Sequence, residues 1–145
     1  MPNEVCIFCG QKPGTFRSTS VQCGGTWQTA CKTCEKELKN LDEADLCKRA
    51  LLRGLAEFPD RIRERIEVIT DAERHRPKCL RCGTDLIFTE VQELDNSPLR
   101  DTIFKEPFEV LPAVCSVCGK YEFYNPSIAR NNKYLAYLID KDTQV

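Results

Sequence analysis

The 145-residue chain is poor in what most metal and nucleotide enzymes need. It has a single histidine, His75, set in the basic stretch RHRPKCLR. A catalytic zinc keeps an open coordination position and usually takes histidine or carboxylate ligands, and no His-Glu or Cys-His constellation surrounds His75, which reads as a surface residue. The His/Cys-x-Glu signature of zinc deaminases is missing. So is a glycine-rich loop that could cradle phosphate. No apolar run approaches the ~18 residues of a membrane span. Met1-Pro2-Asn3-Glu4 carries no basic region and no apolar run follows, so a cytoplasmic protein is expected. No enzyme activity is expected either.

Cysteine, in contrast, is abundant, with ten in the chain. In a reducing compartment such a count reads as metal ligands rather than disulfides. Eight of the ten fall into four Cys-x-x-Cys pairs: Cys6/Cys9, Cys31/Cys34, Cys79/Cys82 and Cys115/Cys118. A Cys-x-x-Cys turn puts two thiolates on one side of a tight loop. Glycine follows the first, third and fourth pairs, as the positive φ at the end of such a turn favours. Two turns close a tetrahedral shell around Zn²⁺. Sequence order pairs Cys6, Cys9, Cys31 and Cys34 as one site, and Cys79, Cys82, Cys115 and Cys118 as the other, for two Zn²⁺ per chain. Eight thiolates less the four charges of two Zn²⁺ lower the formal charge of −1 by four, to −5. Such a protein is no general polyanion binder, though a local basic patch remains open. Cys23, at a hairpin tip, is open as a fifth ligand, a reactive thiol or an incidental residue, the last being preferred. Cys47 reads as a small buried hydrophobe.

Two units of roughly 70 residues each would need such staples, because small cores supply only a few kcal/mol. Composition changes near Pro77, giving expected units 1–76 and 77–145. In the first, TFRSTSVQ and GTWQTA read as strands of a hairpin around Gly24-Gly25. Helices are expected in CKTCEKELKN, in DEADLCKRALLRGLAEF capped by Asp42 and ended by Pro59, and in RIRERIEVITDAER capped by Asp60. Leu46, Ala50, Leu51, Leu55 and Phe58 form the second helix's apolar stripe, and Ile62, Ile66 and Ile69 the third's. In the second unit, DLIFTEVQEL, TIFKEPFEVLPAV and KYEFYN read as strands, with Pro98 between the first two. SIARNNKYLAYLID reads as one closing helix with Ile128, Leu135 and Leu138 on its apolar face. The fold class is a small metal-stabilised α+β protein.

CIFCG, a hairpin and then CKTCEKELK resemble a treble-clef zinc finger. CLRCG and CSVCG with strands between resemble a zinc ribbon, and CSVCGKYEFYNP is similar to the ends of small prokaryotic zinc-ribbon proteins presumed to bind nucleic acid. The resemblance implies fold and metal, and function only loosely. The knuckles lack the proline often found inside such pairs. Treble-clef nucleases carry histidines on hairpin and helix, but Thr26 to Lys39 has none. Rubredoxin also uses two Cys-x-x-Cys-Gly knuckles, which leaves an iron electron carrier as a lesser alternative for the second site.

For function, the primary expectation is a nucleic-acid-binding or transcription-associated regulator. Its candidate residues are Arg17, Arg61, Arg65, Arg74, Arg76, Lys78 and Arg81, with the polar hairpin FRSTS reaching phosphates. Trp27, Tyr121, Phe123 and Tyr124 are candidates for base stacking. Arg63 is expected to pair with Glu67, and alternation in YEFYN assigns Tyr121 and Phe123 to the core. The alternative is a protein-protein adaptor, favoured by the acidic second unit.

Overall fold

Gly24 and Gly25 sit at φ 58° and 74°, and the turn they make sends β1 (Ser18–Cys23) back antiparallel as β2 (Thr26–Cys31). Gly24 is also a close-approach site, since a Cβ there would lie 2.9 Å from the Cα of Ile62. The computed structural model describes residues 4–94 and 108–144. The chain divides into two units, Met1–Thr70 and Asp71–Val145, against the 76/77 boundary expected from composition. It is a mixed α+β architecture, with three helices N-terminal and an antiparallel sheet C-terminal.

In the first unit the hairpin runs into α1 (Lys32–Leu38), followed by α2 (Glu43–Leu51) and α3 (Pro59–Arg74), whose last turn falls in the second unit. Asp42 caps α2, accepting from the Asp45 N–H at 2.8 Å. The helix then ends at Leu51, short of the expected Phe58. Gly54 takes φ 67° in the following turn, a conformation that suits glycine and stops a helix. Phe58 itself has φ 52° and is exposed, so it is no part of the α2 stripe. Pro59 does more than end a segment: it opens α3, where its missing N–H costs nothing. Asp60 lies inside the first turn of α3 rather than capping it. The core gathers Ile7, Cys23, Cys47, Ala50 and Ile62, all fully buried, with Leu46, Leu55 and Ile66 packed around them.

The second unit is a sheet on a helix. β5 (Phe108–Cys115) is central. It pairs antiparallel with β3 (Leu86–Phe88) near one end, with β4 (Gln92–Leu94) near the other, and with β6 (Tyr121–Tyr124). The expected strand DLIFTEVQEL is thus two short strands. Pro98 and residues 102–107 of the expected TIFKEPFEVLPAV strand lie outside the described residues. Leu86, Phe88, Leu111, Ala113 and Cys115 are buried on one face. The Tyr124 ring meets Phe88 edge-on, with centroids 5.4 Å apart. The expected closing helix is two helices, α4 (Pro126–Asn131) and α5 (Lys133–Thr143). Asn132 ends the first and caps the second, accepting from the Tyr134 and Leu135 N–H groups. α5 packs by β3 and buries Tyr137, Leu138 and Ile139, whereas Ile128 is exposed on α4.

Candidate metal centres

The three Cys-x-x-Cys-Gly pairs fold into one recurring knuckle. In each, the glycine N–H donates to the carbonyl of the first cysteine: Gly10 to Cys6 at 2.8 Å, Gly83 to Cys79 at 2.7 Å, Gly119 to Cys115 at 2.9 Å. In each, the first cysteine's N–H donates to the residue after the glycine, Gln11, Thr84 or Lys120. The three glycines sit at φ 74°, 69° and 70°, in the left-handed region where a Cβ would be strained. The pair without a glycine is built differently. Cys31 is the N-cap of α1, and its sulfur accepts from the Cys34 N–H at 3.4 Å. The positive end of a helix favours thiolate there.

These turns bring together Cys6, Cys9, Cys31 and Cys34 in one cluster and Cys79, Cys82, Cys115 and Cys118 in another, with all four sulfurs of each within 4.8 Å of one another. Cys9 and Cys31 sulfurs are 3.9 Å apart, and those of Cys79 and Cys118 3.7 Å. A tetrahedral zinc with Zn–S of ~2.3 Å needs sulfur–sulfur edges of about 3.8 Å, so the spacing fits zinc. No disulfide is formed.

The electrostatics fit as well. Burial works against ionising Cys6, but the backbone of Cys9, Cys31 and Phe8 and the Cys9 thiol outweigh it and bring the thiol down to about 7. Cys115 falls to about 7, chiefly through hydrogen bonding from the Cys118 backbone. Other members go up. Burial and then the neighbouring thiols of Cys31, Cys9 and Cys6 raise Cys34. The Cys118 thiol, then burial and the charges of Cys118 and Cys115, push Cys82 up to about 12. Four thiolates in contact repel one another, and a divalent cation removes that penalty. Each cluster can therefore coordinate one Zn²⁺. The soft four-sulfur donor set is that of a closed structural site, in which zinc supplies cross-linking of the chain.

Around the first cluster, Arg53 Nε donates to the carbonyl of Phe8, inside the knuckle, at 2.8 Å. Gln28 is almost fully buried and bonds three ways: to the Glu57 carbonyl at 2.8 Å, from the Glu57 N–H at 2.9 Å, and to the Thr26 hydroxyl at 2.8 Å. Neither residue carried a local signal, since their partners stand 29 or 45 positions away. Cys23 and Cys47 belong to no metal cluster among the described residues. They share the apolar core, and burial, with the nearby Cys47 thiol and Glu43, pushes Cys23 up to about 12. His75 is exposed, with Nδ1 at 3.0 Å from the Asp71 carbonyl.

The cations expected on a binding surface are mostly engaged inside the chain. Arg76 is 6% exposed; its Nη atoms clasp both oxygens of Asp142 at 2.6 and 3.0 Å, and one also reaches the Leu86 carbonyl. Asp142 in turn accepts the Phe88 N–H at 2.9 Å. This buried clasp joins α5 to β3. Arg65 clasps Glu43 at 2.7 and 3.1 Å, Lys78 meets Asp85 at 2.5 Å, and Arg74 faces Asp71 at 3.9 Å. Arg61 lies over the Phe58 ring at 5.2 Å. Arg63 pairs with Asp60 at 2.6 Å and not with Glu67, because the acid one turn towards the N-terminus is within reach. Arg17 and Arg81 have no ion pair among the described residues.

The aromatic residues divide differently from expectation. Tyr121 and Phe123 are 56% and 64% exposed and stack on each other, centroids 6.3 Å apart and planes 13° apart. Alternation does put them on one face of β6, but it is Tyr124 and the inner face that meet the core. Trp27 is 66% exposed. No helix among the described residues is long and apolar enough to cross a membrane. Compared with known protein families, with curated proteins and with solved structures, the chain finds no match.

Proposed function

We propose that this chain is a non-catalytic binding protein whose two units are held by structural zinc, and that the second unit takes a partner protein on the outer face of its sheet. The observation that carries this is the chemistry of that face. Strand register aligns Ile87, Val114 and Tyr121 in one row, with Phe123 two residues along β6; Ile87 and the two stacked rings are exposed, beside a half-buried Val114 and a buried Pro112. Exposed apolar patches of this kind mark protein contacts, and aromatic residues are enriched in them. The internal pairing of Arg65, Arg76 and Lys78 removes much of the basic surface that phosphates would need. The fold assignment that accompanies this reading is a treble clef for the first unit, supported by knuckle, hairpin and a helix capped by the second cysteine pair, and a zinc ribbon for the second, supported by two knuckles joined through β3 and β5.

The test is native co-purification of the full chain from extract with and without nuclease treatment, with a Tyr121→Ser/Phe123→Ser variant beside it and zinc measured in both. A stoichiometric protein partner lost by the variant, with two zinc retained in each, is the expected result. A partner that the variant keeps, or only nuclease-sensitive partners on the wild type, overturns the reading. Visible colour with iron in the second site would instead favour the electron-carrier alternative.

A further inference from the structure

The sheet of the second unit ends in an edge whose backbone is open to one more strand. β6 pairs with β5 and with no other described strand. Two hydrogen bonds fix which way its backbone faces. The Pro112 carbonyl accepts the Thr89 N–H at 2.9 Å, on the β3 side of β5, and the Cys115 N–H donates to the Lys120 carbonyl at 2.9 Å, on the β6 side. Backbone polar groups alternate sides along a strand. Leu111, Ala113 and Cys115 therefore face β6, and Tyr124, Glu122 and Lys120 face β5 in return. The N–H and C=O groups of Tyr121 and Phe123 point the other way, out from the free edge. No hydrogen bond fills them among the described residues.

Glu122 marks the same edge from the inner face, since its side chain alternates with the two rings. Its Oε1 is buried and has no hydrogen-bond partner among the described residues. Lys120 Nζ stands 3.8 Å away, too far for a hydrogen bond, and the Tyr124 hydroxyl donates to the other oxygen at 3.3 Å. A buried acceptor left in this state costs free energy until a donor reaches it. We infer that the β6 edge takes an extended segment of a partner protein as an added strand, one with a basic residue between two apolar ones. The inference rests on the sheet face assigned above to a protein partner and states what that partner presents. The added strand is antiparallel, like every other pairing in this sheet, and its backbone fills the groups of Tyr121 and Phe123. Only an extended polypeptide repeats donor and acceptor at that spacing. Its two apolar side chains lie on the outer face beside the rings. The basic one lies opposite Glu122, where cross-strand Cβ atoms are ~5 Å apart. A second copy of the chain is the poorer occupant: two β6 strands paired antiparallel through both rings set Glu122 against Glu122, like charges directly opposite.

The zinc-loaded full chain, isotope-labelled for NMR, is titrated with three end-blocked peptides: one centred on Val-Lys-Val, one on Val-Glu-Val, and a Val-Lys-Val peptide N-methylated at both valines. Shifts and hydrogen exchange of the β6 amides are read together. In the free chain the Tyr121 and Phe123 amides should exchange fast, and those of Glu122 and Tyr124 slowly. Val-Lys-Val should bind saturably and protect Tyr121 and Phe123. The other two peptides should bind about tenfold more weakly or worse. Glu122→Gln, with folding checked by zinc content and circular dichroism, should remove most of the preference for lysine over glutamate. No saturable binding up to ~1 mM Val-Lys-Val, or binding indifferent to N-methylation and to Glu122→Gln, overturns the added strand. In either case the sheet-face reading still stands or falls on the co-purification. A dimer in sedimentation, with Tyr121 and Phe123 protected in the free chain, would place a second copy on the edge and likewise overturn the proposal.

Discussion

The two units use the same knuckle and show the world different surfaces. In the first, one knuckle and a helix cap meet, and the scaffold between them is a hairpin with hydroxyl groups and an indole facing out. In the second, two knuckles meet, and the scaffold is a sheet whose inner face packs Leu86, Phe88 and Leu111 while its outer face shows Tyr121 and Phe123. The cores differ as well. The first sets the small Cys23, Cys47 and Ala50 between Ile7 and Ile62. The second has larger side chains and a buried Arg76–Asp142 clasp. The metal ligands therefore define where each unit is cross-linked, and the residues between the ligands define what it can recognise.

The most direct way to separate the units is to remove one metal ligand. Cys9→Ser should leave one zinc per chain and unfold the first unit, and Cys82→Ser should do the converse, because zinc binding in such small units is folding free energy of about 10 kcal/mol or more. Metal analysis with amide NMR of the intact chain reads this. Loss of both zincs from either variant would show that the units do not fold separately.

The next contrast is between kinds of core. Arg76→Met leaves the Asp142 carboxylate buried without its partner, and should destabilise the second unit by about 3–5 kcal/mol. Arg76→Met/Asp142→Leu should recover most of that loss, as seen by denaturant unfolding followed at second-unit amides. If the single variant costs less than 1 kcal/mol, the clasp contributes little. In the first unit, Gly24→Ala forces a Cβ against the Ile62 backbone at positive φ. A loss of about 1–3 kcal/mol is expected, and Gly25→Ala, which meets nothing, should show only the cost of its φ.

The smallest effect concerns pH. Burial opposes ionisation of Glu73, but Lys141 and Arg76 beside it outweigh burial and hold its carboxyl below the ordinary 4.5. A carboxyl lowered by folding adds stability above its unfolded value and loses it as pH falls through the folded one. Stability of the second unit should therefore drop below about pH 4.5, and Glu73→Gln should flatten that slope. An unchanged slope would place the acid sensitivity elsewhere.

Both four-cysteine sets were legible from spacing, because a Cys-x-x-Cys turn is a local structure and the trailing glycine reports its φ. The Asp42 cap was legible for the same reason. The split between α4 and α5 was written in Asn132, a residue that both ends one helix and caps the next, but a continuous apolar pattern masked it. Alternation in YEFYN gave the parity of β6 correctly and its facing wrongly. Period two says which residues share a side, and only the packing of Phe88 and Tyr124 says which side is inside.

By itself, then, the sequence determined the metal chemistry, the knuckles and most of the short elements, since each depends on residues a few positions apart. Tertiary structure alone decided the roles of the charged and aromatic residues. Arg76 stands in a basic stretch with the look of a surface, and becomes a core residue because Asp142 lies 66 positions away in sequence and within 2.6 Å in space. A buried charge needs a partner, and nothing local names it. Which cations remain free to meet a ligand is settled by that same long-range pairing, and so the surface chemistry of this protein could be read only after the fold was known.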